Sequence, residues 1–369
     1  MSSSNINSAI VYIGTYTPEA PAGADVNGIF IYRLDPASGA LESLGAVAGL
    51  TNPSYLAADP QKRHLYAVQE LETYAGQPGG AVSALAIDPQ TSMLQPINTR
   101  PTHGLHPCYV SIDQSGRWVM AANYSSGSLC VLPIEADGAL GPATATIQHS
   151  GSSVNQERQE GPHAHSIMVD PRNRFVLAAD LGLDQILIYE LDARRGTLTE
   201  HHQANLRPGA GPRHLTFHPS GKYLYCMNEL DSTVTVFAYD AEQGTLRDLQ
   251  SVSTLPNGFT GSNTGADIHV HPTGRYLYSS NRGHDSIAIF ALDEAIGLLE
   301  PIGHVATGGR TPRNFAIDPT GTLLFAANQA SDSVLSFQID EASGGLTPTG
   351  HVTEVPKPVC VRIVAGVGS

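Results

Sequence analysis

The chain has 369 residues, a formal charge of −14, 37 glycines and 25 prolines, a composition suited to many short strands joined by tight turns. Its acidic balance, with no run of Lys or Arg, excludes sequence-independent binding to nucleic acid or acidic membranes. No apolar stretch approaches the roughly 18 residues that span a bilayer, and the opening Met1-Ser-Ser-Ser-Asn-Ile-Asn lacks a basic segment and an apolar run, so a soluble, cytoplasmic protein is expected.

The chain repeats. Seven apolar runs end in a near-identical step: Tyr12-Ile-Gly-Thr-Tyr16, Leu65-Tyr-Ala-Val-Gln-Glu70, Val119-Met-Ala-Ala-Asn-Tyr124, Val176-Leu-Ala-Ala-Asp-Leu181, Leu224-Tyr-Cys-Met-Asn-Glu229, Leu277-Tyr-Ser-Ser-Asn-Arg282 and Leu324-Phe-Ala-Ala-Asn-Gln329. A spacing of roughly fifty residues marks a repeat architecture. Each copy suits a four-stranded blade of a β-propeller, so residues 1–369 read as one all-β, seven-bladed domain of antiparallel blades.

Within each unit a first strand ends at an Asp-Pro or His-Pro type of turn, as in Ala57-Ala-Asp-Pro60, Met168-Val-Asp-Pro171 and Thr216-Phe-His-Pro219, whose residues favour tight hairpins. The repeated run above is the second strand. A third follows, such as Thr233-Val-Thr-Val-Phe-Ala-Tyr239, and a second turn leads to a short outer strand. The run at Tyr12 has no opening strand before it, and Pro358-Val-Cys-Val-Arg-Ile-Val364 has none after it. The C-terminal strand is therefore expected to complete the first blade and close the ring. Cys108, Cys130, Cys226 and Cys360 show no metal-ligand spacing and read as small core residues.

In such a blade the start of the first strand and the end of the second lie on one face. Four long connections, Thr17 to Val26, Leu71 to Gly79, Gln148 to Gly161 and Pro256 to Gly265, fall on that face and are expected to surround a pocket. Aligning first strands on their closing turns gives a ring of Ser54, Cys108, His165, Arg213, Ala266 and Arg313, followed by Tyr55, Tyr109, Ser166, His214, Asp267 and Asn314. Second-strand ends give Tyr16, Glu70, Tyr124, Leu181, Glu229, Arg282 and Gln329. Hairpin pairing sets Arg213 beside Glu229, with His165 in the preceding blade and Arg282 in the next. One Arg–Glu pair at a blade mouth is ordinarily structural; the convergence of these four residues is the functional signal. Arg313, Glu70, His163 and Tyr124 are further candidates, whereas His269 and His271 fit turn or packing roles.

Gly161-Pro-His-Ala-His165, Gly211-Pro-Arg-His-Leu-Thr-Phe-His-Pro-Ser-Gly-Lys-Tyr223, Tyr225-Cys-Met-Asn-Glu-Leu230 and Asn281-Arg282-Gly283 resemble the seven-bladed lactonase propellers, a family that includes propeller-type 6-phosphogluconolactonases and fungal 3-carboxy-cis,cis-muconate lactonising enzymes. The resemblance covers essentially the whole chain. It implies hydrolysis of 6-phosphoglucono-1,5-lactone, a pentose phosphate step, with His165, Glu229 and Arg213 in the active site and Arg282 a further arginine; the blade-mouth reading adds Arg313, His163, Glu70 and Tyr124 at the substrate. A base for water, donors for the oxyanion and a proton for the departing alkoxide are what this chemistry requires. Base and acid roles stay open between His165 and Glu229, because burial raises and cations lower a carboxyl pKa.

The expected partner is a small anionic lactone, with no cofactor, metal, nucleic acid or membrane, and with no oligomeric state specified. Cycloisomerisation of a carboxymuconate would use the same arginines and acid. A non-catalytic interaction propeller is disfavoured by the absence of Trp-Asp repeat endings, and a metal-dependent lactonase by the absence of a compact ligand set.

Overall fold

Hydrophobic alternation and turn chemistry are realised as sheets throughout. The structure, a computed structural model, describes residues 9–18 and 26–366. Among the described residues there are seven four-stranded sheets and one two-stranded ribbon, with a single 3-10 turn at Gln329–Ser331. The sheets are antiparallel blades. Blade 5, for example, runs Pro212–Phe217, Tyr223–Asn228, Thr233–Asp240 and Thr245–Ser253 from the inside outwards.

The first blade is assembled from both ends of the chain. Pro358–Val364 pairs antiparallel with Ile10–Thr15, placing Tyr12 opposite Arg362 and Ile13 opposite Val361. Each inner strand packs on the inner strand of the next blade, and the series returns to Pro358–Val364 against the inner strand of blade 2. The ring thereby has no open lateral edge.

The apolar core lies between adjacent blades. Trp118, Met120 and Val131 of blade 3 pack with Ile167, Val176 and Tyr189 of blade 4, and the same arrangement recurs around the ring. Inside these layers the repeated second-strand tyrosine reaches across to the next blade. Tyr12, Tyr66, Tyr225 and Tyr278 donate to the carbonyl oxygens of Ser92, Gly138, Gly297 and Gly344 at 2.9–3.0 Å. Each such buried bond contributes about 1 kcal/mol. The aspartates of the first turn act locally: Oδ1 of Asp113 accepts from the backbone of Arg117 and Trp118, and that of Asp170 from Arg174 and Phe175. In the His-Pro copies the imidazole replaces the carboxylate, with Nδ1 of His218 accepting from Ser220 N and Nδ1 of His271 from Thr273 N. All four cysteines are buried, unpaired and within strands.

Of the long connections, most of Thr17 to Val26 lies outside the described residues. Leu71 to Gly79 is more ordered than a loop: Thr73–Tyr74 pairs with Gln77–Pro78. The turn is made by Ala75 and Gly76, both at positive φ, a pair whose backbone twist suits a tight hairpin. Gln148 to Gly161 brings Arg158 to Glu229, and Pro256 to Gly265 is held by Asn263, which donates to Ser232 Oγ and Asn281 Oδ1.

Candidate active site

One backbone irregularity positions the site. The ladder between first and second strands breaks register between Pro107 and Tyr109, Ala164 and Ser166, Pro212 and His214, and Pro312 and Asn314. Cys108, His165, Arg213 and Arg313 are therefore the extra residues of β-bulges, a device that re-aims a side chain out of the pleat. The same break skips Val359 in blade 1 and falls between Gly265 and Ile268 in blade 6.

The carboxylate of Glu229 is the centre of the cluster. Its Oε2 accepts from Arg213 Nε at 2.9 Å and lies 2.8 Å from Arg282 Nη2, while Oε1 accepts from Arg158 Nη2 at 2.6 Å. His165 Nε2 stands 3.9 Å from Oε2. Arg213, Glu229 and His165 are almost wholly buried, so these charges interact in a low-dielectric setting. Arg213 is further fixed from below: Nη1 donates to Ala266 O at 2.7 Å and to His214 Nε2 at 3.2 Å. Because arginine has only donors, the His214 proton sits on Nδ1, which faces Asp267 Oδ1 at 2.7 Å. Asp267 also receives Asn314 Nδ2 and His269 Nε2. Tyr55 and Tyr109 stack at 4.1 Å between centroids, with His214 edge-on to both, and floor the site.

Environment fixes protonation. Burial pushes the Glu229 carboxyl pKa up, but Arg282, Arg213 and Arg158 together outweigh it and hold the group well below its usual value. Burial, reinforced by the Arg213 guanidinium, holds His165 well below the usual histidine value. Burial likewise takes His214 down to about 4 and Arg282 down to about 10. At neutral pH the site thus holds an ionised Glu229 and a neutral His165 imidazole, which separates two groups that composition alone leaves interchangeable.

The expected residues divide into two sets. His165, Arg213, Glu229 and Arg282 meet as the repeat alignment places them. Tyr124 joins them, its ring edge-on to His165 at 5.3 Å and stacked on His163 at 4.7 Å; His163 Nδ1 lies 3.1 Å from Tyr124 O. Glu70 is apart from Glu229: it accepts from Tyr16 OH at 3.0 Å and is bonded by Ser54 Oγ. Arg313 lies over the Tyr16 ring, 5.5 Å from its centroid, and makes no hydrogen bond to the described residues. Arg313, Glu70, Ser54, Cys108 and Arg213 line one narrow cavity beneath the mouth. The residue missed by repeat alignment is Arg158, from the Gln148 to Gly161 connection. Its sequence signal is that it is the lone Lys or Arg of that segment.

Several donors remain unspent. Arg282 Nε is buried without a partner, and Arg213 Nη2 makes no hydrogen bond to the described residues. Among the described residues no group of His, Cys, Asp and Glu has the arrangement of a metal site, and no helix is long and apolar enough to cross a membrane.

A model of the family described as "Lactonase, 7-bladed beta-propeller" matches residues 10–363. A 6-phosphogluconolactonase of Bacillus subtilis is 39% identical over 298 residues, 81% of this chain and 82% of that protein. One from Pectobacterium carotovorum is 36% identical over 264 residues, 71% of this chain and 72% of that protein. The solved structure of a periplasmic gluconolactonase of Pseudomonas aeruginosa superposes with a TM-score of 0.89 at 34% identity, covering 97% of this chain and 99% of that one. With the family match running from the first strand into the last strand of the ring, and relatives this similar across most of their length, the chain belongs to the seven-bladed β-propeller lactonase family.

Proposed function

We propose that this protein hydrolyses 6-phosphoglucono-1,5-lactone to 6-phosphogluconate, using His165, Glu229 and Arg213 as the catalytic set. Neutral His165 takes a proton from water as the water oxygen bonds to the lactone carbonyl carbon. Arg213 Nη2 and the free Nε of Arg282 stabilise the oxyanion, as donors aimed at developing charge do in a dry site. The carbon–oxygen ring bond then breaks, and the imidazolium returns its proton to the departing alkoxide. Glu229, tied to three arginines, supplies no proton; it keeps the guanidiniums in place and its charge supports the transient imidazolium.

The observation that carries this reading is the charge of the site. Arg158, Arg213, Arg282 and Arg313 gather around a neutral His165 in a protein of formal charge −14, with Glu229 bound to three of them, Glu70 acting on Arg313, and Glu160 and Asp267 acting on Arg158 and Arg213. A phosphate monoester of roughly −1.5 to −2 charge at neutral pH suits the N–H donors that this arginine cluster leaves unbonded. Arg282, Arg313, Tyr124, His163 and Glu70 form the walls around the substrate, and the cytoplasm, where phosphorylated sugars are kept, is the site of action.

The test is acid release from freshly prepared 6-phosphoglucono-1,5-lactone above the spontaneous rate, with His165→Ala alongside. Turnover abolished in the variant supports reaction and site together; a wild-type rate equal to the spontaneous one sinks the reading. The likeness to the Pseudomonas gluconolactonase favours one second reading, hydrolysis of the unphosphorylated lactone, which the same assay run on glucono-1,5-lactone addresses.

A further inference from the structure

We infer that Arg158 is the residue by which this protein distinguishes a phosphorylated lactone from its unphosphorylated counterpart, an inference that rests on the reading of the site as a lactone hydrolase. Four arginines converge here, and the structure separates them by what each has left to offer. Arg213 is committed to Glu229, His214 and the Ala266 carbonyl. Arg282 is committed to Glu229 and the Gly265 carbonyl. Arg313 makes no hydrogen bond to the described residues, but it is laid over the Tyr16 ring with its charge set against Tyr16 and Glu70.

Arg158 differs on each count. Its side chain is 38% exposed at the mouth. Both of its bonds, to Glu229 Oε1 at 2.6 Å and to Tyr124 OH at 3.2 Å, use the same nitrogen, Nη2. Nε and Nη1 make no hydrogen bond to the described residues, so the N–H donors on both sides of the engaged Nη2 are free. Those donors suit single, charge-assisted hydrogen bonds to phosphate oxygens. Binding there leaves the Glu229 ion pair intact, so recognition of the phosphate does not disturb the carboxylate that anchors Arg213 and Arg282.

The segment that carries Arg158 is built to hold it. Asn155 Oδ1 accepts from the backbone of Glu157 and Arg158, and buried Gln159 donates from Nε2 to Leu181 O at 2.9 Å. Ser153 Oγ donates to Asp184 at 2.6 Å, and His149 is locked between Asp180 and Tyr189. A cation presented on a fixed turn binds without the ordering cost of a free loop. The spacing fits too: Tyr124 touches His165 with its ring and Arg158 with its hydroxyl, so the length of one tyrosine separates base from fork, comparable to the separation of carbonyl carbon and phosphate in the substrate.

The experiment compares the full-length wild type with Arg158→Ala and Arg158→Lys on 6-phosphoglucono-1,5-lactone and glucono-1,5-lactone, and measures the affinity of each protein for 6-phosphogluconate and gluconate by calorimetry. The expected result is a loss of kcat/KM on the phosphorylated lactone at least tenfold larger than on the unphosphorylated one in Arg158→Ala. Arg158→Lys should fall between, and 6-phosphogluconate affinity should drop while that for gluconate moves far less. Equal losses on both lactones would assign Arg158 to support of Glu229 and overturn the inference, as would an undiminished preference for the phosphorylated lactone. A wild type inert on both lactones would overturn the underlying reading and this inference with it, whereas an active wild type with an unaltered variant preference overturns the inference alone.

Discussion

His165 Nε2 lies 3.9 Å from Glu229 Oε2, beyond hydrogen-bond length, so the two groups are coupled through charge and not through a shared proton. The imidazole is therefore free to accept from water, and the carboxylate to stay with its arginines. The pH profile follows from this. In the proposed mechanism only neutral His165 acts as base, and its pKa lies well below the usual histidine value, so enzyme-catalysed kcat/KM should stay near its neutral value as pH falls through 6.5 and decline only well below it. A decline centred near pH 6.5–7 would count against His165 as the base. Substituting it with Ala or Asn should lower kcat by roughly 10²–10⁴-fold.

Glu229→Gln should cost stability as well as activity. Removing the charge leaves Arg213 and Arg282 buried beside a neutral amide, a change of about 3–5 kcal/mol. The folded pKa of Glu229 lies below its ordinary value of 4.5, so its contribution is fully present above that pH and is lost as pH falls through the folded value. Thermal melts of wild type and variant should differ most at neutral pH and converge in acid. A gap that does not narrow would mean that the charge is not what stabilises the fold here.

Asp267 positions Arg213 through His214, and replacing it with Asn should disturb the site without touching substrate. The neutral amide no longer favours the His214 tautomer with its proton on Nδ1, so Nε2 loses its role as acceptor for Arg213 Nη1. A loss of roughly tenfold in kcat with a smaller change in KM is expected, of the size seen when residues that orient a functional group are removed. Asp267→Ala should also destabilise, by about 3 kcal/mol, through the unmatched His214 and Asn314. An unchanged kcat in Asp267→Asn would make the chain structural.

Tyrosines that stitch blades together give a separate, site-independent test. Tyr225→Phe and Tyr278→Phe each delete one buried bond, to Gly297 O and Gly344 O, and each should cost about 1–2 kcal/mol in denaturant unfolding. The two tyrosines serve different blade interfaces, so the double variant should show the sum, with kcat/KM retained.

Repeat chemistry made most of the fold legible, and the site apart from Arg158. The Leu-Tyr-x-x-Asn run carries its own explanation: the tyrosine bonds the next blade, and the asparagine closes the strand end, as Asn281 Nδ2 does on Thr254 O at 2.7 Å. His165, Arg213 and Arg313 could be placed on one level because the distance from each to its closing turn is the same. The bulges that aim them left no mark in the sequence, since an extra residue repeated at one position in successive blades does not alter their alignment. Arg158 was illegible for the opposite reason: its segment has no counterpart in other blades and hence no register to count from. The hairpin of Thr73 to Pro78 escaped notice because two-residue strands are too short for alternation to be read.

The bulge has a consequence for how such a ring can change its chemistry. Each blade offers one address at the channel mouth whose occupant is set apart from the ladder that holds the blade together. Val359, Ser54, Cys108, His165, Arg213, Ala266 and Arg313 occupy these addresses, and they range from a methyl group to a guanidinium on nearly the same backbone. Ala266 and Val359, both buried, are the two apolar aliphatic occupants of that series and bring no acid, base or cation to their addresses. A seven-fold scaffold built this way separates what holds the molecule together from what it acts upon, blade by blade.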